Sequence, residues 1–185
     1  MLTLPNLITI SRLLCVPALI GAAIADRPSL FIGLLAYALL SDAVDGRLAR
    51  ARGQATPFGA RLDSTADCAL YLTAPVAALR VFPDVRAHLA GAVFAVYAGY
   101  LVPIVYGAIK YRRLTSYHTI GARLAGVLLS VAAFLVLLTG VQWPFYVATT
   151  VLLVSAIEEM AITRILPAWE SNIPSVWHAL QRRTS

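Results

Sequence analysis

Two long stretches of the chain carry no charged side chain and predict membrane-spanning helices. Residues 87–109 form one run of 23 residues, and residues 124–157 form another of 34. A helix rises about 1.5 Å per residue and a hydrocarbon core is about 30 Å thick, so only the first run fits a single span. The second run is interrupted at 139–144 by Gly140, Trp143 and Pro144, residues typical of a turn at a membrane interface. It therefore predicts two spans joined by a tight hairpin.

The amino-terminal half has shorter apolar runs that continue through charged positions. We predict spans near residues 7–25, 29–46 and 58–79. The first would include Arg12, the second Asp42 and Asp45, and the third Asp63 and Asp67. The predicted fold is an all-α integral membrane protein with six transmembrane helices, forming a single domain over residues 1–185.

Composition supports the same class. The chain is 59% hydrophobic and 13% charged, with a mean hydropathy of +0.77, whereas soluble domains are about 25% charged and about 45–50% apolar. These values exclude a soluble enzyme, a disordered tail and a secreted disulfide scaffold. The two cysteines lie in apolar stretches, where we interpret them as packing residues.

The distribution of basic residues predicts the orientation of the spans. With six spans, 12 of the 15 Lys and Arg residues fall on the side that holds both termini. Cytoplasmic loops carry the excess of Lys and Arg, so both termini are predicted to be cytoplasmic. We therefore interpret the net charge of +6 as this bias and expect no nucleic-acid partner.

Four of the nine acidic residues fall within 26 positions and predict a metal site. Asp42 and Asp45 are three residues apart, and Asp63 and Asp67 are four apart, so each pair shares one helix face. The stretch between them contains Gly53 and Pro57 and indicates a turn, so an antiparallel helix pair would bring the four carboxylates into one cleft. Such oxygen ligands suit Mg²⁺ or Mn²⁺, and two such ions can clamp phosphoryl oxygens.

Small residues accompany these carboxylates. Gly46, Ala49 and Gly59 each lie within about a turn of a motif aspartate. A bulky substrate can approach a backbone closely only where side chains are absent or small. Packing between helices is the alternative interpretation, because small residues are common at membrane helix interfaces.

The carboxylates and small residues form one motif over residues 42–67. It begins as Asp42-x-x-Asp45-Gly46-x-x-Ala49-Arg50 and, after eight intervening residues, continues as Gly59-x-x-x-Asp63-x-x-x-Asp67. This pattern resembles the signature of the CDP-alcohol phosphotransferase family, with its spacing intact. The six predicted spans also resemble the family. The opening segment, residues 4–12, is similar to the first-helix entry of phosphatidylglycerophosphate synthases.

The resemblance implies a reaction and a set of roles. Such enzymes move a substituted phosphate group from a CDP-linked donor, here CDP-diacylglycerol, to an alcohol with release of CMP. It implies that Asp42, Asp45 and Asp63 bind metal and that Asp67 shares the second ion and acts as the general base. The implied CDP-pocket residues are Gly46, Ala49, Arg50 and Gly59. A homodimer in the inner membrane, with its active site facing the cytoplasm, is also implied.

The acceptor is predicted from basic residues near the fourth and fifth spans. Arg112, Arg113 and Arg123 are candidates to bind a phosphate on the acceptor, which favours glycerol 3-phosphate. Inositol or its phosphate, another polar alcohol and phosphatidylglycerol remain alternatives, because residues 110–119 differ from the loop expected of a standard phosphatidylglycerophosphate synthase.

Two other functional classes are compatible with intramembrane acids. A divalent-cation transporter would also place carboxylates within spans, and a non-catalytic scaffold is a third class. The nearby Arg50 and glycines favour a nucleotide-dependent transferase over both. We interpret the remaining acidic pair, Glu158 and Glu159, as partners of Arg123 or Arg164, and Lys110 as a charge that sets topology.

Overall fold

A computed structural model describes residues 3–51, 56–112, 119–168 and 173–183, and over these ranges the protein is all-helical. The described helices are α1 (Leu4–Ile24), α2 (Pro28–Ala51), α3 (Pro57–Val81), α4 (Pro83–Tyr111), α5 (Ile120–Thr139), α6 (Trp143–Ile165) and α7 (Val176–Arg183). Two compact units divide the chain at residue 88, within α4. The single domain predicted over 1–185 stays a prediction.

Local sequence signals explain where several helices begin and end. The side chains of Thr3 and Thr56 accept hydrogen bonds from backbone N–H groups in the first turns of α1 and α3. Gly140 ends α5 with φ = +75°, a left-handed conformation that glycine adopts without strain. Because α6 begins three residues later, at Trp143, the predicted hairpin is confirmed.

The first unit, Met1–His88, is built around α1, which packs against both α2 and α3 while those two helices contact each other little. Its apolar core includes Leu19, Phe31 and Leu70, each at most 2% exposed. The rings of Phe31 and Phe82 meet edge to face, with centroids 6.0 Å apart. This arrangement makes α1 the element through which α2 and α3 are held together.

The second unit, Leu89–Ser185, contains a close pairing of α5 with α6, and α7 also packs against α6. A methyl group added at Gly99 would lie 3.2 Å from Leu152, so α4 approaches α6 closely at that position. The missing side chain at Gly99 therefore serves packing, as expected between membrane helices.

Lys110 has a structural contact that the sequence did not reveal. Its Nζ atom donates to the carbonyl oxygens of Thr163, Arg164 and Leu166 at 2.6, 3.2 and 2.8 Å. The Tyr111 hydroxyl also donates to the oxygens of Thr163 and Leu166. Carbonyl groups at a helix end lack partners within the helix, so these two side chains cap α6.

Four of the described helices, α1, α4, α5 and α6, are long and apolar enough to cross a membrane. In α5 only 17% of the most apolar window is buried, so most of this apolar surface is not covered by the described part of the chain. Such surface supports an integral membrane protein. By length and composition the count among the described helices is four, so the six predicted spans are not confirmed. The physical reason is charge, since α2 and α3 carry the motif carboxylates and the apolar part of α2 ends at Asp42.

The bounds of the first two helices also differ from the prediction. Helix α1 begins at Leu4 and not near residue 7, because Thr3 caps it and Pro5 suits a first turn. Helix α2 continues to Ala51, beyond the predicted end near residue 46. Residues 46–50 are therefore helical, which keeps the second half of the α2 motif on the same helix as its aspartates.

Candidate active site

The four motif carboxylates converge on one guanidinium group. Arg12 of α1 forms ion pairs with Asp42, Asp45, Asp63 and Asp67. Its Nη2 atom lies 3.0 Å from Asp45 Oδ2, and its Nη1 atom lies 3.2 Å from Asp67 Oδ1. The Arg12 side chain is fully buried. The predicted cleft between α2 and α3 thus has a third wall, provided by α1.

Three of the carboxylates form a group that could bind a metal ion. Asp42, Asp63 and Asp67 each offer an oxygen, and these atoms all lie within 4.8 Å of one another. Their side chains are between 34% and 41% exposed, so the group is open to a ligand. Oxygen atoms from three carboxylates form a donor set that suits Mg²⁺ or Mn²⁺.

Asp45 lies deeper than the other three carboxylates, with 3% of its side chain exposed. The Thr9 hydroxyl donates to its Oδ2 atom at 2.9 Å. Its Oδ1 atom is buried without a hydrogen-bond partner in the described part of the protein. An unpartnered buried carboxylate oxygen is costly, and coordination to a cation would satisfy it. The residues present therefore fit a bound metal ion.

A polar row on α1 completes the site. Asn6, Thr9 and Arg12 are three residues apart and are all at least 96% buried, so they share one inward-facing side of the helix. The sequence shows this signal as polar residues at regular spacing in an otherwise apolar helix, but we did not assign them to the site. The spacing alone could have identified them as a functional face.

Gly59 lies against this row. A methyl group added at Gly59 would meet the Asn6 Oδ1 atom at 2.8 Å and the Thr56 Oγ1 atom at 3.2 Å. The absence of a side chain thus allows α1 and α3 to approach closely. This is the packing role that we kept as the alternative for the small residues, and the predicted role in CDP binding stays a prediction.

The other predicted binding residues are placed only in part. Gly46, Ala49 and Arg50 lie in the last turns of α2, and their side chains are outside the described part of the structure. Arg113 also lies outside the described residues. Arg112 and Arg123 are exposed and belong to the second unit, whereas the four carboxylates belong to the first. Their role toward an acceptor stays a prediction.

The predicted pairing of Glu158 and Glu159 with Arg123 or Arg164 is wrong. The ion pairs seen among the described side chains join Arg12 to the motif carboxylates, and none of them includes Glu158 or Glu159. Glu158 instead accepts a hydrogen bond at 3.1 Å from the backbone N–H of Val176, the first residue of α7. A carboxylate at a helix start satisfies a free N–H group and favours the helix dipole, so Glu158 anchors α7 to α6.

Several named proteins are similar in sequence to part of this chain. A protein named cardiolipin synthase (CMP-forming) from Oryza sativa subsp. japonica is 40% identical over 70 residues, covering 36% of this chain and 21% of that protein. Proteins from Mycobacterium bovis and Mycobacterium tuberculosis, also named as cardiolipin synthases, are 30% identical over 76 residues. These alignments cover 40% of this chain and 36% of each relative. No solved structure matches the chain.

A family model described as CDP-alcohol phosphatidyltransferase matches residues 2–165. The match includes α1, the whole aspartate motif and the helices as far as the end of α6. It confirms the transferase class indicated by the motif, and the relatives described above are named as cardiolipin synthases. This chain belongs to the CDP-alcohol phosphatidyltransferase family.

Proposed function

We propose that the protein transfers a phosphatidyl group from CDP-diacylglycerol to an alcohol and releases CMP. The observation that carries this proposal is the convergence of Asp42, Asp63 and Asp67, whose oxygen atoms lie within 4.8 Å of one another. Such a cluster can hold cations against a pyrophosphate, which is the group that the CDP-linked donor brings. Family membership and the names of the relatives support the same reaction.

The site residues would have separate roles in the transfer reaction. Asp42, Asp45 and Asp63 would be ligands of two divalent ions, and Asp67 would share the second ion. When bound, Mg²⁺ or Mn²⁺ neutralises charge on the pyrophosphate oxygens. Asp67 takes the proton of the acceptor hydroxyl, whose oxygen bonds to the phosphorus that carries diacylglycerol. The pyrophosphate P–O bond breaks, and CMP leaves with the electron pair. Gly46, Ala49, Arg50 and Gly59 would line the CDP pocket.

The acceptor we propose is a glycerol that carries a phosphate. Glycerol 3-phosphate and phosphatidylglycerol both fit that description, and both offer a free hydroxyl beside an anionic group that arginine can bind. The names of the relatives favour phosphatidylglycerol, because cardiolipin is a glycerol that bridges two phosphatidyl groups. Forming it with release of CMP requires a CDP-linked donor and phosphatidylglycerol. Arg112, Arg113 and Arg123 would bind the acceptor phosphate.

The proposed setting is a homodimer in the cytoplasmic membrane with the active site facing the cytoplasm. Helices α2 and α3 have 24 and 25 residues, enough to cross a core of about 30 Å at about 1.5 Å per residue. Together with the four apolar helices they would make six spans with both termini in the cytoplasm, as the distribution of basic residues favours. Polar acceptors and CDP-lipids would then meet at the cytoplasmic surface.

One experiment tests the reaction and the acceptor together. The purified protein is reconstituted in vesicles with labelled CDP-diacylglycerol, Mg²⁺ or Mn²⁺, and glycerol, glycerol 3-phosphate, inositol or phosphatidylglycerol. We expect CMP and cardiolipin with phosphatidylglycerol, and no CMP after EDTA. Asp67→Asn should remove the product, whereas Asp84→Asn, a matched change at an exposed carboxylate outside the motif, should leave it unchanged. Movement of Mn²⁺ into vesicles without CMP release would contradict the proposal and favour a transporter.

A further inference from the structure

The contacts of Arg12 follow a pattern that connects α2 with α3. Its Nη1 atom pairs with Asp42 of α2 and Asp67 of α3, and its Nη2 atom pairs with Asp45 of α2 and Asp63 of α3. Each nitrogen therefore bridges one carboxylate from each helix. Since α2 and α3 make few direct contacts among the residues that the structure describes, this guanidinium is a principal link between the two halves of the aspartate motif.

The positions of these nitrogens compete with a metal ion. Divalent cations bind carboxylate oxygens at about 2.0–2.6 Å. An ion bound at these distances among the oxygens that Nη1 and Nη2 contact would lie within a few ångströms of the guanidinium, where the two positive charges repel each other. Two ions that bridge α2 and α3 would make the same kind of link that Arg12 makes. Metal ions and the guanidinium therefore compete for the oxygens that Arg12 contacts, while Asp45 Oδ1, which has no partner in the described part of the protein, stays open to an ion.

The balance of charge explains why an arginine would be placed there. Four carboxylates so close together repel one another, and without a cation they would force α2 and α3 apart. Arg12 is fully buried, and a buried guanidinium is tolerated only when its charge is matched. One positive charge still leaves three negative charges unmatched, so the site retains a strong attraction for divalent ions.

We propose that Arg12 is the internal counter-ion of the metal-free site and that divalent cations displace its guanidinium from the carboxylates. This inference rests on the metal-dependent transferase proposed above. Arg12 keeps the four aspartates in place before the metal binds and lowers the affinity for metal, since each ion must first break ion pairs. The displaced guanidinium remains near the bound ions, where it adds a positive charge to a site that receives a pyrophosphate.

The test is metal binding by the full chain in detergent, with Mn²⁺ as the probe and its free concentration followed by electron paramagnetic resonance. Arg12→Met should bind Mn²⁺ about tenfold more tightly or better, because the competing charge is removed. In EDTA the same variant should lose helical circular dichroism at lower temperature than the wild type, and saturating Mn²⁺ should remove most of that difference. Arg27→Met, a matched loss of charge at an exposed position outside the site, should change neither property.

A second variant keeps the test decisive if Arg12→Met does not fold without metal. Arg12→Lys keeps one charge but lacks the two nitrogens that bridge both pairs, so its Mn²⁺ affinity should be higher than that of the wild type. Unchanged or weaker Mn²⁺ binding in both variants would overturn the inference. Arg12 would then be a structural residue or a residue that assists metal binding. Tighter Mn²⁺ binding by the variants, together with no CMP release by the wild-type protein, would support the exchange and refute the proposed reaction. The two failures are therefore distinguishable.

Discussion

Thr9→Val tests whether α1 is part of the active site. Thr9 is 4% exposed, and its hydroxyl donates to Asp45 Oδ2 at 2.9 Å. The same hydroxyl lies 3.0 Å from the Pro5 carbonyl oxygen of its own helix. Valine has nearly the same shape but no hydroxyl, so the change removes both contacts with little change in packing. The other oxygen of Asp45 is already without a partner in the described structure. The variant therefore leaves a buried carboxylate with Arg12 as its remaining partner.

The expected loss of stability follows from the charge on the hydrogen-bond acceptor, which is the Asp45 carboxylate. Hydrogen bonds to charged groups contribute about 1.5–3 kcal/mol, and a buried group that loses its partner is not resolvated by water. We therefore expect the free energy of unfolding of the metal-free protein to fall by about 1.5–3 kcal/mol. Thr9→Ser keeps the hydroxyl and should retain most of that stability.

The measurement is denaturant unfolding in detergent with EDTA, followed by helical circular dichroism, because the tryptophans all lie outside the first unit. The control is Thr65→Val on α3, where the exposed hydroxyl donates only to the Arg61 carbonyl oxygen of its own helix. Surface changes of this kind usually stay within about 0.5 kcal/mol. If Thr9→Val and Thr65→Val lose the same stability, the contact between α1 and Asp45 does not matter and the three-walled site is refuted.

Three further predictions concern the base, the acceptor and the cap of α6. Asp67→Asn should lower the transfer rate by about 10²–10⁴ while the protein stays folded, and near-wild-type turnover would exclude Asp67 as the base. Arg123→Ala should raise the KM for a phosphorylated acceptor by about 10–150-fold and the donor KM much less, with partial recovery in Arg123→Lys; an unchanged acceptor KM would contradict the assignment. Lys110→Met should lower the stability of the second unit by about 1.5–3 kcal/mol, measured by tryptophan fluorescence, whereas Arg164→Met, at an exposed position near the same helix end, should not. Equal losses in these two variants would show that the cap is unimportant.

The sequence by itself determined the helical class, the hairpin between α5 and α6 and the four carboxylates that lie together in the candidate site. These features are local, because a long apolar run and a fixed spacing on one helix face do not depend on distant contacts. The signature at residues 42–67 therefore indicated the family that the comparison confirms. The number of spans was harder to predict from the sequence, because α2 and α3 carry the motif carboxylates within long helices.

Only the tertiary structure decided which residues meet the carboxylates. Arg12 lies 30 to 55 positions before its four partners, and hydropathy presents it as a single charge in an apolar helix. Lys110 and Glu158 likewise find backbone groups as partners, in α6 and α7. Backbone groups are the same at nearly every residue, so no side-chain pattern reveals such contacts. These pairings depend on how α1 packs between α2 and α3 and on how α4, α6 and α7 meet, which is information that no local pattern contains.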